Sequence, residues 1–429
     1  MKVLLLSHNL EGGAGGATYR LHQGLRSIDI PVQSLIYRHG ANAKSHSDQS
    51  VIVAQNPVLS RITQKDVRAR LDRQPLSLFK YKGSGSFFLQ WVPDRIPAQV
   101  AELAPDIINL HSVIGGFLQI ESLAKFKVPI VWTLHEMWAF TGGCDYSEAC
   151  NRYTESCGGC PLFDRNPLND LSRWVWQRKA KAWKDLNLTL VTPSRWMAAC
   201  ARSSSLFRDT PVHVIPNGID TEGFHPVDRT IARRSFNLPL DKKLVLFGAW
   251  HNSPRKGFPL LEAALQHLSR FQWREQIELV VFGGLDQPNL GFPCHGLGQL
   301  TDTESLARAY SAADVFVAPS TADNLATTVI EAIACGTPAV AFDIGGMSDM
   351  IQHQSNGYLA RAFDIEDLAR GIVWTLAQDA DQLSRRSAEA DISSRSRTLA
   401  EQEFTIARQA ERYSTLFKTI VNVRSTLHL

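Results

Sequence analysis

Two carboxylates flank the start of a predicted helix in the carboxyl-terminal half of the chain. Asp323 and Glu331 stand eight positions apart, after the apolar run Val315–Ala318, which is typical of a buried parallel strand. A helix amino terminus presents unpaired N–H groups that suit a phosphate, and carboxylates suit the hydroxyls of a sugar or ribose. This pattern favours a site for a ligand that carries both groups. The alternative is an ordinary strand followed by a capped helix.

The elements around the two acids predict where such a ligand would lie. The helix ends at Gly336, and the apolar run 339–342 predicts a second strand, followed by the turn Gly345-Gly346. In a doubly wound sheet, ligands bind outside the carboxyl ends of the strands. We therefore expect the residues around the start of the helix to contact a diphosphate; these are Asn324, Leu325, Ala326 and Thr327.

A cationic loop follows another predicted strand, at 243–248. Arg255 and Lys256 precede Gly257 and the predicted helix 259–268. If the sheet is parallel, Lys256 lies at the same edge as Glu331, where a cation can neutralise a departing diphosphate. The alternative is a lysine in a surface loop.

A glycine-rich segment follows the first predicted strand, near the amino terminus. Gly12, Gly13 and Gly16 lie between this strand and a helix predicted through Tyr19. A strand, a glycine-rich turn and a helix can form a phosphate cradle, because bare backbone approaches a ligand closely. The spacing differs from the dinucleotide-binding fingerprint. A turn without a ligand is the alternative.

Polar residues also end two predicted strands in this half. His111 ends 106–111, and His135 ends 129–135. A neutral imidazole can both donate a hydrogen bond to a sugar hydroxyl and accept one from it, so His135 is a candidate ligand contact. The alternative is a buried histidine whose partners are backbone groups. Ser194 is predicted to cap a helix.

Four of the seven cysteines are clustered in one predicted loop. Cys144, Cys150, Cys157 and Cys160 could wrap a structural zinc ion, although the spacing of the first pair is wider than in common zinc knuckles. Four thiolates would leave no open coordination position, so a catalytic zinc is not expected. A metal-free, thiol-rich loop is the alternative.

Length and composition limit the class of protein. A chain of 429 residues suggests two domains, and 44% hydrophobic with 20% charged residues is typical of a globular protein. A net charge of +3 is too small to indicate nucleic-acid binding, and no apolar run reaches the roughly 20 residues of a membrane span. The amino terminus lacks the features of a signal peptide, so we expect a cytoplasmic protein.

Two basic segments could contact the cytoplasmic face of a membrane. Residues 59–82 are rich in lysine and arginine, and residues 171–186 combine tryptophan with basic side chains. Solvated or packed helix faces are the more common outcome for such segments. We therefore keep peripheral membrane contact as the second interpretation.

The motifs together resemble family 4 glycosyltransferases, which are retaining enzymes of the GT-B fold. The resemblance lies in the two acids, the small-residue helix, the Gly-x-Pro-Val run, the Gly-Gly turn and the linker-like segment 216–220. It spans nearly the whole chain, with its best matches from 212 to 358. The loop after His135 also resembles that of a subset of the family.

The resemblance implies roles for individual residues. Glu331 would bind the ribose hydroxyls, while Asp323, where the family usually has Glu, and His135 would contact the donor sugar. Lys256 would bind the diphosphate, whereas Ala249 and Trp250 occupy the place of the usual arginine. Candidates for that arginine's role are Arg255 and His251. The remaining positions implied to lie near the substrates are Gly12, Gly13, Gly16 and Ser194.

The resemblance also implies an α/β architecture of two facing, Rossmann-like, doubly wound domains with the active site in the cleft between them. We place the amino-terminal domain at 1–217 and the nucleotide-sugar-binding domain at 218–400. A last helix at 401–429 would cross back to the first domain. The partners are then a nucleotide-sugar donor and a glycan or lipid-linked acceptor, without nucleic acid.

The implied reaction is transfer of a sugar, with retention, from a UDP- or GDP-linked donor to an acceptor hydroxyl in polysaccharide biosynthesis. It requires no cofactor. One alternative is a nucleotide-sugar-binding protein without turnover, which would not need Lys256 at the diphosphate. Another is an epimerase of the same fold, which would need an acid/base pair on the sugar that the sequence does not reveal.

Overall fold

The chain divides into two compact units. The computed structural model describes residues 1–38, 47–54, 67–83, 85–164, 167–249, 254–269, 272–283, 291–381 and 391–427. The first unit comprises Met1–Pro216 together with Ile406–Leu429, and the second comprises Asn217–Thr405. The sequence predicted the first boundary after residue 217, which is one position later than in the structure. It predicted the second boundary after residue 400, which is five positions earlier than in the structure.

The first unit is built on a parallel sheet of seven described strands in the order β3-β2-β1-β4-β5-β6-β7. The strands are β1 Val3–Ser7, β2 Val32–Ile36, β3 Val51–Val53, β4 Ile107–Leu110, β5 Ile130–Thr133, β6 Leu188–Thr192 and β7 Val212–Val214. The helices before the linker are α1 Gly12–Ser27, α2 Val67–Arg73, α3 Ile96–Leu103, α4 Leu171–Trp183 and α5 Arg195–Ser203. Short 3₁₀ helices span Gln74–Phe79, Ile120–Lys125, Met137–Phe140 and Arg152–Thr154.

The second unit has a parallel sheet of six described strands in the order β10-β9-β8-β11-β12-β13. The strands are β8 Lys243–Ala249, β9 Ile277–Gly283, β10 Cys294–Gly296, β11 Val315–Ala318, β12 Ala339–Phe342 and β13 Gly357–Ala360. The helices are α6 Arg229–Ser235, α7 Phe258–Leu268, α8 Thr303–Ala312, α9 Thr327–Ala334, α10 Ile365–Asp381 and α11 Ile392–Glu403. Short 3₁₀ helices span Pro254–Lys256, Gln272–Glu275 and Met347–Asp349. The predicted α/β class with two Rossmann-like domains is confirmed.

Apolar side chains on both faces of each sheet explain why the central strands form. In β1, alternate residues enter different cores: Leu4 and Leu6 join one apolar cluster, and Val3 and Leu5 join another. Strands buried on both faces are typical of parallel sheets, whose crossover helices cover both sides. The two faces of the sheet are therefore mainly apolar, and most polar side chains near the strands lie at their carboxyl ends, with exceptions such as the buried Ser34 of β2 and Asn109 of β4.

A break separates the last two helices, and the residues after this break belong to the first unit again. The sequence predicted one last helix at 401–429, whereas α11 ends at Glu403 and a separate α12 spans Ile406–Leu427. The carbonyl of the buried Phe404 accepts a hydrogen bond from the Ile219 N–H at 2.7 Å. This pairing diverts the backbone at Phe404 from the helical hydrogen-bond ladder, so the helix ends there.

Helix α12 packs closely against α1. A side-chain carbon at Gly24 would collide with Ile406 and Ala410, so only glycine allows this approach. On the same face of α12, Tyr413 and Phe417 are buried in the apolar cluster that also contains Ala410 and Val131 of β5. The last helix is thus part of the core of the first unit.

The two basic segments differ from the predicted amphipathic helices. Of residues 59–82, the part up to 66 lies outside the described residues, and the rest forms α2 and the following 3₁₀ helix. In α4, Lys179 is fully buried while Trp174 is 40% exposed, so the helix does not simply bury its tryptophans and expose its charges. No helix within the described ranges combines the length and the apolar character needed to cross a membrane.

Candidate functional site

The two acids of the opening motif lie at the carboxyl end of β11. Asp323 follows the strand in a buried loop, and Glu331 lies on the second turn of α9 and is half-buried. The residue before the helix, Ala326, has no side-chain acceptor for the N–H groups of the first turn. Because residues three and four apart share a helix face, Glu331 lies on the same side as Thr327 and Thr328.

Two cations converge on the first acid. Lys256 Nζ donates to Asp323 Oδ2 at 2.7 Å, and Arg255 Nη1 lies 3.4 Å from the same oxygen. Although burial opposes ionisation, these charges hold the pKa of the Asp323 carboxyl below its usual value. Asp323 is therefore ionised at neutral pH, and the three side chains form a cluster with a net charge of +1.

Arg255 also contacts the backbone of the loop after β11. Its Nη1 donates to the Ala322 carbonyl at 2.5 Å, and its own carbonyl accepts from the Thr321 N–H at 2.8 Å. The structure thus places Arg255 in the site beside Lys256. The other candidate for the missing arginine, His251, lies outside the described residues, as does Trp250.

Two glycines allow this convergence. Gly257 has φ +71° and Gly345 has φ +55°, both in the left-handed region that favours glycine. A Cβ at Gly257 would overlap the carbonyl of Pro319, and a Cβ at Gly345 would overlap the carbonyl of Asp323. These close approaches bring the Lys-Gly loop and the Gly-Gly turn against the loop that carries the acid.

The second acid is oriented by a buried tyrosine. The Tyr310 hydroxyl donates to Glu331 Oε2 at 2.9 Å, and the ring of Tyr310 packs edge-to-face on Phe282 and Phe316. Tyr310 is fully buried, and burial raises the pKa of its hydroxyl well above the usual value, so it remains a donor. Tyr310 was missed in the sequence because an aromatic residue in an apolar helix face resembles ordinary core.

We predict that Tyr310→Phe weakens both the fold and the ligand contact of Glu331. A hydrogen bond to a charged group contributes about 1.5 to 3 kcal/mol, so the free energy of unfolding should fall by about that amount. The KM of the donor should rise severalfold, because Glu331 loses its orienting partner. Urea unfolding and donor kinetics check this. Wild-type values for both would show that the tyrosine does not orient the acid.

The histidines at the ends of β4 and β5 lie side by side in the first unit. His111 Nδ1 and His135 Nε2 are 3.0 Å apart, and His111 Nε2 lies 2.9 Å from Asn109 Oδ1. Burial, followed by the charge of Arg20, lowers the pKa of His135 to about 4, and burial lowers the pKa of His111 well below its usual value. Both rings are therefore neutral at pH 7.

The carboxylate next to His135 also has a shifted pKa. Burial, followed by the charge of Asp145, raises the pKa of Glu136 to about 8, with Lys179 opposing the shift. Glu136 thus carries a proton in a substantial fraction of molecules at neutral pH and can donate a hydrogen bond.

The glycine-rich segment is helical rather than a loop, which corrects the prediction. Helix α1 begins at Gly12, so Gly12, Gly13 and Gly16 lie in its first turns. The helix starts early because the Asn9 side chain accepts the Glu11 N–H at 3.1 Å, fixing the turn after β1. Apart from the adjacent residues and the backbone of the same helix turn, no described atom would lie within 4 Å of a side-chain carbon added at Gly12 or Gly13. These glycines therefore leave open space at a helix amino terminus.

A cavity of about 290 Å³ opens beside this terminus, at the carboxyl ends of β1 and β4. Its described lining residues are His8, Asn9, Glu11, Ala14, Gly15, Phe88, Ser112, Ile114 and Gly115. His8 Nδ1 donates to the Ile114 carbonyl at 3.1 Å, and Asn9, Glu11 and Ser112 add further polar groups to the lining. The cavity can thus offer acceptors and donors to a polar ligand.

Ser194 does not line an open site, contrary to the resemblance. It is fully buried, and its hydroxyl accepts from the Met197 N–H at 3.1 Å as the cap of α5. The capping role read from the sequence is therefore correct, and the ligand contact is not available in this structure.

The clustered cysteines do not form a metal site in this structure. Among the described residues, no three His, Cys, Asp or Glu side chains are placed to hold a metal ion. Burial raises the pKa of Cys157 to about 12 and that of Cys160 to about 11. The zinc site therefore stays a prediction. Metal analysis of the purified protein tests it, and a zinc content near zero would end it.

A buried lysine holds the cysteine-containing loop instead. Lys179 of α4 donates to the carbonyls of Trp138 and Thr141, and its Nζ lies 3.8 Å from the centroid of the Trp138 ring. Asp170, which caps α4, also accepts the Cys160 N–H at 2.6 Å. The burial of Lys179 was not predictable from its position in the sequence, because lysines usually lie on solvated helix faces.

Three neutral histidines predict the pH dependence of stability. Burial lowers the pKa of His22 to about 4, as burial and Arg20 do for His135, and His111 shifts in the same direction. Between the usual value of about 6.5 and these lower values, the unfolded chain binds more protons than the folded chain. We therefore expect each histidine to lower the free energy of unfolding by about 1.4 kcal/mol for each unit by which the pH falls through this range. Glu136, which keeps its proton in the folded state up to a pKa of about 8, opposes this loss by the share of one group.

Thermal unfolding between pH 7.5 and 5 measures this effect. His22→Asn removes one of the three titrating groups and should reduce the slope by the share of one histidine. A midpoint that stays constant or rises as the pH falls from 6.5 to 5 would contradict the assignment of neutral buried histidines.

The sequence matches two family models. Residues 12–223 match the model described as Glycosyltransferase Family 4, and residues 241–378 match the model described as Glycosyl transferases group 1. The two matches cover most of both structural units.

Curated relatives carry related names. A D-inositol 3-phosphate glycosyltransferase of Mycolicibacterium smegmatis is 30% identical over 66% of this chain and 62% of its own length. One from Catenulispora acidiphila is 31% identical over 38% of this chain and 42% of its own length. The chain thus spans about half the length of these relatives. The putative colanic acid biosynthesis glycosyl transferase WcaC of Escherichia coli is 24% identical over 80% of this chain and 83% of its own length.

Solved structures share the fold. A sucrose-phosphate synthase from Thermosynechococcus elongatus superposes with a TM-score of 0.68 at 20% identity, covering 99% of this chain and 100% of that one. Anabaena Alr3699/HepE, solved in complex with UDP, superposes with a TM-score of 0.64 at 17% identity, covering 98% and 100%. These structural likenesses show the shared fold, and the two family matches show that the chain belongs to the family 4 (group 1) glycosyltransferases.

Proposed function

We propose that the chain is a retaining glycosyltransferase that moves a sugar from a nucleoside diphosphate sugar to a hydroxyl of a glycan or lipid-linked acceptor. The observation that carries this proposal is the cationic cluster of Lys256, Arg255 and Asp323 beside the start of α9. Its excess positive charge and the uncapped helix terminus favour a diphosphate. Glu331, on the same helix, supplies the carboxylate that a ribose requires.

The proposed reaction breaks the bond between the anomeric carbon and the diphosphate oxygen. The electron pair leaves with the diphosphate, whose growing negative charge Lys256 and the N–H groups of α9 would stabilise. The acceptor oxygen would form the new bond on the same face of the sugar, and its proton would pass to the departing diphosphate. This step requires neither a carboxylate nucleophile nor a metal ion.

Both cations are accessible enough for this role. The side chain of Lys256 is 26% exposed and that of Arg255 is 36% exposed, whereas Asp323 is 10% exposed. Asp323 would hold the ammonium in position and could also meet a sugar hydroxyl, as the family's longer glutamate does. Since Asp323 is already bonded to Lys256, we propose positioning as its first role.

Residues of the first unit would contact the sugar and the acceptor. His135 would contact the sugar, and the amino terminus of α1 with Gly12, Gly13 and Gly16 would meet a phosphate or the acceptor. The relatives' names add support: Alr3699/HepE has been solved with UDP and with UDP-glucose, and WcaC is named for colanic acid biosynthesis. We therefore place a UDP-linked donor first and polysaccharide synthesis as the setting.

Peripheral membrane contact is a further part of the proposal for a lipid-linked acceptor. Leu168 and Trp174 are 66% and 40% exposed at the start of the basic helix α4. Exposed tryptophan with nearby basic residues suits an anionic headgroup surface. Co-sedimentation with anionic vesicles tests this; no binding at low salt would remove it.

The direct test is a nucleoside diphosphate release assay with UDP-, GDP- and ADP-linked sugars and a pool of glycan acceptors. We expect release from one donor class, dependent on acceptor, and an unchanged anomeric configuration in the product by NMR. Glu275→Ala, at the amino end of β9 and far from this loop in the sheet, is a matched control for carboxylate loss. An inverted product would contradict retention, and no release from any donor would contradict the transferase.

A further inference from the structure

Four polar side chains form a column on one face of the sheet in the first unit. Residues two apart on a strand share a face, so Asn109 and His111 leave β4 on the same side, as do Thr133 and His135 for β5. The strands pair with Asn109 opposite Val131, which sets the two pairs side by side. The apolar residues of this face belong to the cluster that contains α12.

Hydrogen bonds connect the column from end to end. Beyond the two bonds already described for His111, Asn109 Nδ2 lies 3.0 Å from Thr133 Oγ1 and 3.1 Å from the Val131 carbonyl. Thr133 Oγ1 in turn lies 2.8 Å from the Tyr413 hydroxyl of α12. The chain of contacts therefore runs from the last helix to His135.

The backbone carbonyl of Val131 determines which group is the donor and which the acceptor in each of these hydrogen bonds. A carbonyl only accepts, so the group of Asn109 that faces it must be the amide NH₂, and Oδ1 faces His111. His111 Nε2 must then carry a hydrogen. Because the ring is neutral, His111 Nδ1 is an acceptor, and the group that donates to it is His135 Nε2–H.

We propose that Asn109 and His111 are positioning residues that hold His135 in the Nε2–H tautomer, which leaves Nδ1 as the only acceptor nitrogen of His135. Besides burial, the charge of Arg20 of α1 favours the neutral form of the His135 ring. In this tautomer His135 Nδ1 can accept a hydrogen from a sugar hydroxyl but cannot donate one. The catalytic consequence rests on the proposed function; the tautomer does not.

The tautomer is measured directly by ¹⁵N NMR of the full-length protein labelled in its histidines. Loss of signals in His135→Gln and in His111→Asn assigns the two rings. At pH 7 we expect a protonated Nε2 and an unprotonated Nδ1 for His135. A protonated Nδ1, or an imidazolium, would overturn the proposal whatever the activity, and this spectrum of the wild type requires no variant to be active.

A pair of variants tests the effect on turnover. His111→Leu removes the acceptor and should lower kcat by roughly 10- to 100-fold, as loss of an orienting partner does elsewhere, with a smaller change in KM. His111→Asn places an amide oxygen where Nδ1 was and should retain most of the kcat. Equal kcat in His111→Leu and wild type would overturn the positioning role. Absence of transferase activity in the wild type would reject the proposed function, and the spectrum alone would then decide the tautomer.

Discussion

Glu331→Ala is expected to lower kcat/KM for the sugar donor by roughly 100-fold, with most of the change in KM. The carboxylate would accept hydrogen bonds from the ribose, each contributing about 1.5 kcal/mol or more, and two such bonds correspond to about two powers of ten. The ribose is remote from the reacting bond, so its contacts act on the ground state and the transition state alike. Steady-state kinetics over a range of donor concentrations separates the two constants.

The loss of Glu331 is also expected to lower the free energy of unfolding, and this effect can be measured separately from the effect on donor binding. Tyr310 loses the acceptor of its buried hydroxyl, which should reduce the free energy of unfolding by about 1 to 3 kcal/mol. Removing both partners, as Glu331→Ala with Tyr310→Phe, should restore much of this stability without restoring donor use. Wild-type kinetics in Glu331→Ala would remove Glu331 from the donor site.

Lys256→Met is expected to lower kcat by roughly 10²- to 10³-fold, because removing one preorganised group that stabilises transition-state charge has an effect of this size. Methionine keeps an unbranched apolar stem like that of lysine and lacks the charged terminal nitrogen. The bond to Asp323 is lost, and Arg255, 3.4 Å away, becomes the remaining cation beside that carboxylate. The effect should be larger on kcat than on KM, since the charge on the diphosphate grows as the bond breaks.

The matched control for Lys256 is Lys242→Met. Lys242 lies just before β8, at the opposite end of that strand, and its Nζ donates to the Glu275 carbonyl at 2.8 Å. We expect this variant to keep the kcat of the wild type. A Lys256→Met protein with full kcat would contradict the role of the cation in leaving-group stabilisation.

The elements of the donor-side motif were predictable because their local signals agree. The apolar run of β11, the start of α9 and the strand β12 each follow from composition and turn residues. Lys256 was predicted to lie at the same edge of the sheet as Glu331, and its Nζ lies 2.7 Å from Asp323 of the same motif. Their direct bond was not predicted, because it depends on the close backbone approaches at Gly257 and Gly345.

Other features depend on packing that the sequence does not display. Helix α1 begins at Gly12, where glycines suggested a loop, and the last helix is interrupted at Phe404 by a backbone bond to Ile219. The column from Asn109 to His135 requires the register of β4 and β5, which no local pattern specifies. Lys179 is buried because distant carbonyls and the Trp138 ring surround it. Each of these is a long-range contact.

The central claim is that a nucleoside diphosphate binds beside α9, and thermal-shift measurements with UDP, GDP, ADP and their sugar conjugates test it most directly. A ligand that binds only the folded state raises the unfolding midpoint by mass action. We expect one nucleotide class to raise the midpoint of the wild type and to have little effect on Glu331→Ala, with Glu275→Ala behaving as the wild type. Equal shifts in wild type and Glu331→Ala, or no shift with any of these ligands, would contradict the claim.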